Sequence, residues 1–188
     1  MGSRPPIAVY DACVLYPFQL RNLLVQVAVD RLVDARWTDD IHDEWIRNLV
    51  ANTPGLTRER LETTRALMDQ VLPQARVTSY AARIPTITLP DPGDRHVAAA
   101  AIEAGGAVIV TWNVRDFPAA ELRRHGLHKA TPDAFLSDLH AAEPALVAAS
   151  VENARRNLNL SKVSRPAYLE GLQRQGLKRF VAALSRTA

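Results

Sequence analysis

Apolar positions along the chain fall into two patterns, short continuous runs and helical stripes. Ile7-Ala8-Val9-Tyr10 is such a run and predicts a first strand, ended by Asp11. Pro17 then opens a helix, with Leu20, Leu23, Leu24 and Val27 at the i, i+3, i+4, i+7 spacing of a single face. Residues 35–38 predict a second short strand. A helix follows from Asp39, its first-turn acids favoured by the backbone dipole. Ile41, Trp45 and Leu49 share its core face, and Glu44 lies about 100° round the helix from Trp45. Pro54-Gly55 breaks the chain. Thr57 caps a helix running to Leu72, with Leu61, Thr64, Ala66, Leu67 and Val71 expected to face inward. Residues 73–85 read as a connector with a short extended piece at 76–78, and residues 86–89 predict a further strand.

The stretch 89–117, LPDPGDRHVAAAAIEAGGAVIVTWNVRDF, organises the rest. A Pro/Gly turn leads to Asp94, which opens an apolar helix that ends at Gly105-Gly106. Residues 107–111 follow as a β-branched apolar strand, of the kind covered on both faces. Asn113 and Asp116 stand just past its end. Residues 119–125 predict a short helix closed by Gly126, residues 128–130 an edge strand, and residues 133–140 a helix opened by Pro132. After Pro144 the pattern is helical throughout, with a polar break at 157–164 and Pro166 suited to a first turn. Leu177, Phe180, Val181 and Leu184 form the last stripe. Strands alternating with helices predict an α/β fold with a parallel sheet. The predicted boundary divides a domain over residues 1–143 from a helical extension over residues 144–188.

Composition narrows the class. The chain has 188 residues, of which 47% are hydrophobic, enough for a sizeable core. Cys13 is the one cysteine, so no disulfide can form within the chain. The opening MGSRPPIAVYDACVLYP has no leader-like apolar core, and no apolar run approaches membrane-spanning length. The expectation is a soluble, cytoplasmic protein without membrane partners. Charge is uneven. Residues 145–188 hold eight Lys/Arg against two Asp/Glu, a net +6, whereas residues 1–144 hold fifteen against eighteen, a net −3. An acidic body with a basic extension suits delivery of a polyanion to a metal site; a merely solvated arginine face fits the charge equally well.

Four acids carry the candidate chemistry: Asp11, Glu44, Asp94 and Asp116. Singly, each has an ordinary explanation. Asp94 is placed to cap a helix, Asp11 and Asp116 to form turns, and Glu44 to be solvated. Together they weigh more, because Asp11 and Asp116 both follow apolar runs that lie at the same edge of a parallel sheet. The helix opened by Asp94 must start near that edge. Carboxylates brought this close raise one another's pKa and call for a cation. An all-oxygen donor set suits Mg²⁺ or Mn²⁺ rather than zinc, and such ions activate water and stabilise a leaving oxygen on phosphate.

The same segments resemble the PIN-domain family. DACVLYP at 11–17, Glu44, DRHVAAAA at 94–101 and TWNVRDF at 111–117 carry the resemblance, most specifically to VapC-type ribonuclease toxins. It covers roughly residues 7–139, and it implies a three-layer α/β/α fold around a parallel sheet. It further implies a Mg²⁺- or Mn²⁺-dependent endoribonuclease, with Asp11, Glu44, Asp94 and Asp116 as catalytic metal ligands. Asn113 is an alternative for the fourth inner group, Asp91 an alternative to Asp94, and Thr111 is expected to orient a carboxylate or water. The partners implied are an RNA substrate, a cognate antitoxin protein and a second copy in a homodimer. The extension resembles that of a longer PIN subgroup.

Further residues have weaker claims. Arg95, Arg174 and Lys178 are candidates to meet RNA phosphates. Cys13 is expected to be a small buried hydrophobe, His42 and His96 packing or surface residues, and Trp112 a packing residue, with base stacking open. Two other functions compete. A phosphatase of the haloacid-dehalogenase kind needs a second Asp two residues after the first, where this chain has Cys13; a phosphoacceptor receiver needs an acidic pair before the strand and a late Lys, and neither is evident. A catalytically silent PIN-like module that holds nucleic acid or a partner is the other alternative, distinguished by whether the four acids bind a divalent ion.

Overall fold

The computed structural model describes residues 4–106, 108–158 and 162–186. The chain begins with β1 (Ile7–Tyr10), the single turn α1 (Ala12–Leu15) and α2 (Phe18–Val29). Next come β2 (Asp34–Arg36), α3 (Asp39–Asn52) and α4 (Arg58–Val71). Three short 3-10 turns follow at Pro73–Ala75, Ala81–Thr86 and Pro92–Asp94. Then come α5 (Arg95–Glu103), β3 (Val108–Val110), α6 (Ala119–Arg124), β4 (His128–Ala130) and α7 (Pro132–Ala142). The last elements are α8 (Pro144–Arg156), α9 (Arg165–Arg174) and α10 (Lys178–Arg186).

All four strands are parallel, in the order β2-β1-β3-β4, and helices cover the sheet. Residues 8–10 of β1 and 108–110 of β3 are apolar and almost fully buried, as a sheet covered on both faces requires. The strand order diverges from β1, with β2 on one side and β3 on the other. The crevice between the carboxyl ends of β1 and β3 is therefore a topological switch point, where open α/β sheets bind ligands. Helix α5 starts beside this crevice and leads into β3. Its run Ala98-Ala99-Ala100-Ala101 is buried, and side chains this small let the helix lie close to the sheet.

Hydrophobic stripes place the other helices. Leu20, Leu23, Leu24 and Val27 of α2 are all fully buried. Ile41 and Trp45 of α3 are buried too, with Leu49 partly so. The C-terminal helices pack against α2 and α7. Phe180, Val181 and Leu184 of α10 turn inward, as does Leu177 just before it. Polar ties add register to this packing: Asn22 Nδ2 donates to the Ala154 carbonyl over 2.7 Å, and Ser150 Oγ to Asp30 Oδ2 over 2.6 Å. Asp133 of α7 accepts the backbone N–H groups of Arg179 and Phe180, capping α10 from a neighbouring helix.

Several sequence expectations need correction. Residues 86–89 form no strand: Thr86 ends the 3-10 turn, and Ile87 and Leu89 are buried in the irregular backbone after it. Burial alone set their apolar pattern. The inner face of α4 is Leu61 and Met68, while Leu67 and Val71 are 56% and 52% exposed. The face is rotated because Leu72, just past the helix, is also buried. The second strand begins one residue earlier and ends two residues earlier than expected, at Asp34–Arg36, since Trp37 pairs instead with Arg76 of the extended piece. Ala107 and residues 159–161 of the predicted strand and polar break lie outside the described residues.

Candidate active site

Asp11 follows β1 directly and is only 2% exposed. Its Oδ1 accepts the Ala12 N–H over 2.7 Å, and its Oδ2 accepts the Thr111 hydroxyl over 2.6 Å and the Cys13 thiol over 3.2 Å. Burial pushes the Asp11 carboxyl pKa up, Glu44 adds to this, and the donors pull it back down. The Thr111 hydroxyl in turn accepts the Asn113 N–H over 2.9 Å, so one side chain joins the ends of β1 and β3. Cys13 is part-buried and polar in its contacts: its sulfur also accepts the Trp112 N–H over 3.3 Å. Cys13 packs against the core as expected of a small apolar residue, but it is only partly buried and also takes polar contacts, because its helical turn faces the loop after β3.

Asp94 closes the 3-10 turn before α5. It occupies the N-cap position with αR backbone, and its side chain makes no capping bond. An extended residue aims its oxygen back at the helix N–H groups; Asp94 is not extended, so its carboxylate is left for other use. Asp91 instead caps that turn, accepting the Gly93 N–H over 2.7 Å. The Asp94 pKa is pushed up to about 7, first by burial and then by the charges of Asp11, Asp91, Asp116 and Glu44. The acids singled out in the sequence therefore share one electrostatic neighbourhood.

Glu44 reaches this neighbourhood from α3, with its Oε2 3.6 Å from His96 Nε2. Together with Asp40, Asp43, Asp91, Asp94 and Arg47 they line a cleft of about 450 Å³. Asp116 is half-buried in the loop after β3, and its N–H donates to the Asn113 carbonyl over 3.0 Å. The Asn113 side chain is exposed. It is the charge of Asp116 that reaches Asp94. Lys129 of β4 holds the same loop, its Nζ donating to the carbonyls of Val114 and Phe117.

The acids are near enough to repel one another and are not gathered around a point. Among the described residues, no three His, Cys, Asp or Glu side chains stand close enough together to hold one metal ion. The donor set is nonetheless all oxygen, and the Asp94 and Asp116 side chains make no hydrogen bond or ion pair among the described residues.

Two family models match the chain. A PIN domain model matches residues 8–115. The chain belongs to the PIN-domain family. The C-terminal domain of VapC50 matches residues 132–186, so this PIN protein is of the VapC type with a C-terminal extension. No curated protein and no solved structure matches it. The PIN model spans the ends of β1 and β3, α3 and the start of α5, the segments that carry Asp11, Thr111, Glu44 and Asp94. Asp116 falls just beyond it.

The other candidates are dispersed. Arg95 opens α5 beside Asp94, with a buried Nε that lacks a hydrogen-bond partner among the described residues. Arg174 pairs with Glu170 over 2.7 Å on α9, and Lys178 is exposed at the start of α10. Trp112 packs against Gly176, which ties the loop after β3 to the α9–α10 turn. His42 is fully buried, accepts the Trp45 indole N–H over 3.0 Å, and is held neutral by burial, its pKa lowered to about 4. Sequence reading passed over Lys129 and Arg47, and took His96 for a packing or surface residue. Arg47 lies three residues beyond Glu44, a spacing that puts the two on one helix face, whereas His96 meets Glu44 from another helix. Lys129 left no signal, since its partners are carbonyls.

Proposed function

We propose that this PIN protein is a divalent-metal-dependent endoribonuclease that hydrolyses RNA phosphodiester bonds, acting as the toxin of a type II toxin–antitoxin pair. One observation carries the reading: the Asp94 carboxyl is lifted to about 7 with four other carboxylates contributing to the rise. A site that gathers negative charge suits a cation that neutralises it. The oxygen donors fit Mg²⁺ or Mn²⁺, and Asp11, Asp94 and Asp116 would hold the ion. Glu44 would hold a second ion or orient water. Bound metal would supply an activated water and neutralise charge on the phosphate. The chain's own part is positioning: Thr111, Cys13 and the Ala12 N–H fix Asp11, and Lys129 fixes the loop that carries Asp116. In this reading residues 1–143 form the nuclease domain and residues 144–188 a basic extension that raises RNA affinity.

Purified protein should cleave RNA with Mg²⁺ or Mn²⁺ and stop on addition of EDTA. Asp94→Asn should abolish cleavage with the fold intact, since the amide keeps the shape and removes the charge. Cleavage that persists in that variant, with a mock purification excluding contaminating nuclease, overturns the assignment. The open spacing of the acids also suits a silent module that binds RNA or a partner without chemistry. Isothermal titration with Mn²⁺ separates the two: a silent module shows no binding that Asp94→Asn removes.

A further inference from the structure

The cleft beside the acids contains one cation that its neighbours leave alone. Arg47 lies on α3, exposed, three residues beyond Glu44, and such positions share a helix face with Cβ atoms about 5–6 Å apart. Five carboxylates line the same cleft: Asp40, Asp43, Glu44, Asp91 and Asp94. Among the described residues Arg47 forms no ion pair or hydrogen bond through its side chain. Its neighbours on α4 behave differently. Arg65 reaches Asp39 over 2.5 Å, and Arg58 reaches Asp43 over 3.0 Å.

The carboxylates near Arg47 have other partners. Asp40 accepts the Tyr80 hydroxyl over 2.6 Å, Asp43 takes Arg58 and Arg65, Glu44 faces His96, and Asp91 caps its own turn. Asp94 alone is unengaged, and it faces the other acids of the site. A guanidinium kept unpaired in an acidic cleft retains its donors for an anion that arrives from outside. Its planar fork matches the paired oxygens of a phosphate.

We infer that Arg47 is a substrate-binding residue that grips an RNA phosphate at the cleft, next to the phosphodiester to be cut. The inference rests on the nuclease reading for its geometry and adds a residue that reading does not use. An acidic wall repels a polyanion, so a single cation there sets where along the strand a phosphate is allowed to sit. Arg47 thereby fixes register, while the acids act on the neighbouring bond.

The test uses the full-length chain and a labelled, randomised single-stranded RNA 12-mer, in an Asp94→Asn background so that nothing is cut. Arg47→Gln should weaken binding about tenfold at low salt, the low end for a charge-assisted hydrogen bond in an open cleft. The slope of log affinity against log salt should fall by about 0.7, the release expected for one phosphate contact on a single strand. Arg47→Lys should restore the salt slope and only part of the affinity, because an ammonium keeps the charge and loses the fork. With Asp94 intact, Arg47→Gln should raise KM more than it lowers kcat. Wild-type affinity and slope in Arg47→Gln overturn the inference and leave the nuclease reading standing if the wild-type chain cleaves RNA. Loss of binding without cleavage by the wild-type chain upholds Arg47 and removes the nuclease reading. If Arg47→Gln leaves RNA untouched but weakens binding of a Glu-rich peptide, Arg47 serves a protein carboxylate instead, and the inference fails.

Discussion

Thr111 and Asp11 lie 100 residues apart in sequence and meet across the sheet edge, where the Thr111 hydroxyl donates to Asp11 Oδ2 over 2.6 Å. The same hydroxyl accepts the Asn113 N–H, so it links a buried carboxylate to the loop that carries the fourth acid. Thr111→Val should cost about 2 kcal/mol, because it leaves the Asn113 N–H without its acceptor and takes a donor from buried Asp11. Thr111→Ser should recover most of that loss. Chemical denaturation of the three proteins checks the order; equal midpoints would make the hydroxyl incidental.

Charge repulsion sets an expected pH dependence. Asp94 and Asp11 both have folded pKa values above their unfolded ones, so the native state binds more protons than the unfolded state in between. Stability therefore falls as pH rises, with the Asp94 contribution present below about pH 4 and lost by about pH 7. Metal-free protein should melt at a lower temperature at pH 7 than at pH 5, and Asp94→Asn should flatten the difference. Saturating Mn²⁺ should reverse the trend, since ion binding favours the ionised carboxyl. A melting profile that rises from pH 5 to 7 without metal contradicts the charge cluster.

Asp11 and Asp116 should respond differently to the same change. Asp116→Asn removes a repelling charge and breaks no hydrogen bond among the described residues, so metal-free protein should melt at or above the wild-type temperature. Asp11→Asn replaces an acceptor of three donors with a group that itself donates, and should melt lower. Differential scanning calorimetry in EDTA distinguishes them.

Lys129 acts on the site through the loop that carries Asp116. Lys129→Met keeps most of the apolar stem and removes both donors to the Val114 and Phe117 carbonyls. On the nuclease reading, kcat should fall about tenfold, as for other groups that orient a ligand through its neighbours. A partial recovery at higher Mn²⁺ would mark the loss as misplacement of Asp116 rather than global unfolding; unchanged kcat would show that the loop holds its shape without Lys129.

Gly176 joins the C-terminal helices to the site loop. It sits at φ +99°, and a Cβ there would lie 2.9 Å from the Trp112 ring. Gly176→Ala should cost about 2 kcal/mol from the left-handed backbone alone, plus displacement of Trp112. The accompanying shift in Trp112 fluorescence, read against a Trp112→Phe control, reports whether the α9–α10 turn and the loop after β3 move together.

The sequence by itself determined the strands β1, β3 and β4, most helices and the last stripe, because burial imposes periods of two or 3.6 residues that local pattern reveals. It also singled out Asp11, Glu44, Asp94 and Asp116, since three of them stand where an apolar run ends or a helix begins. It misjudged residues 86–89, Leu67 and Val71, where apolar side chains answer to neighbours distant in sequence. Only the tertiary structure decided what surrounds the acids. Whether Asp94 caps its helix depends on its backbone angles, which the preceding Pro92–Asp94 turn imposes. Whether Cys13 is inert depends on the loop after β3, about 100 residues later, folding against it. The unpaired state of Arg47 follows from partners that Arg58, Arg65 and Tyr80 take from other elements. Pattern along a chain records what each residue does with the core; which polar groups find partners is settled when distant segments meet.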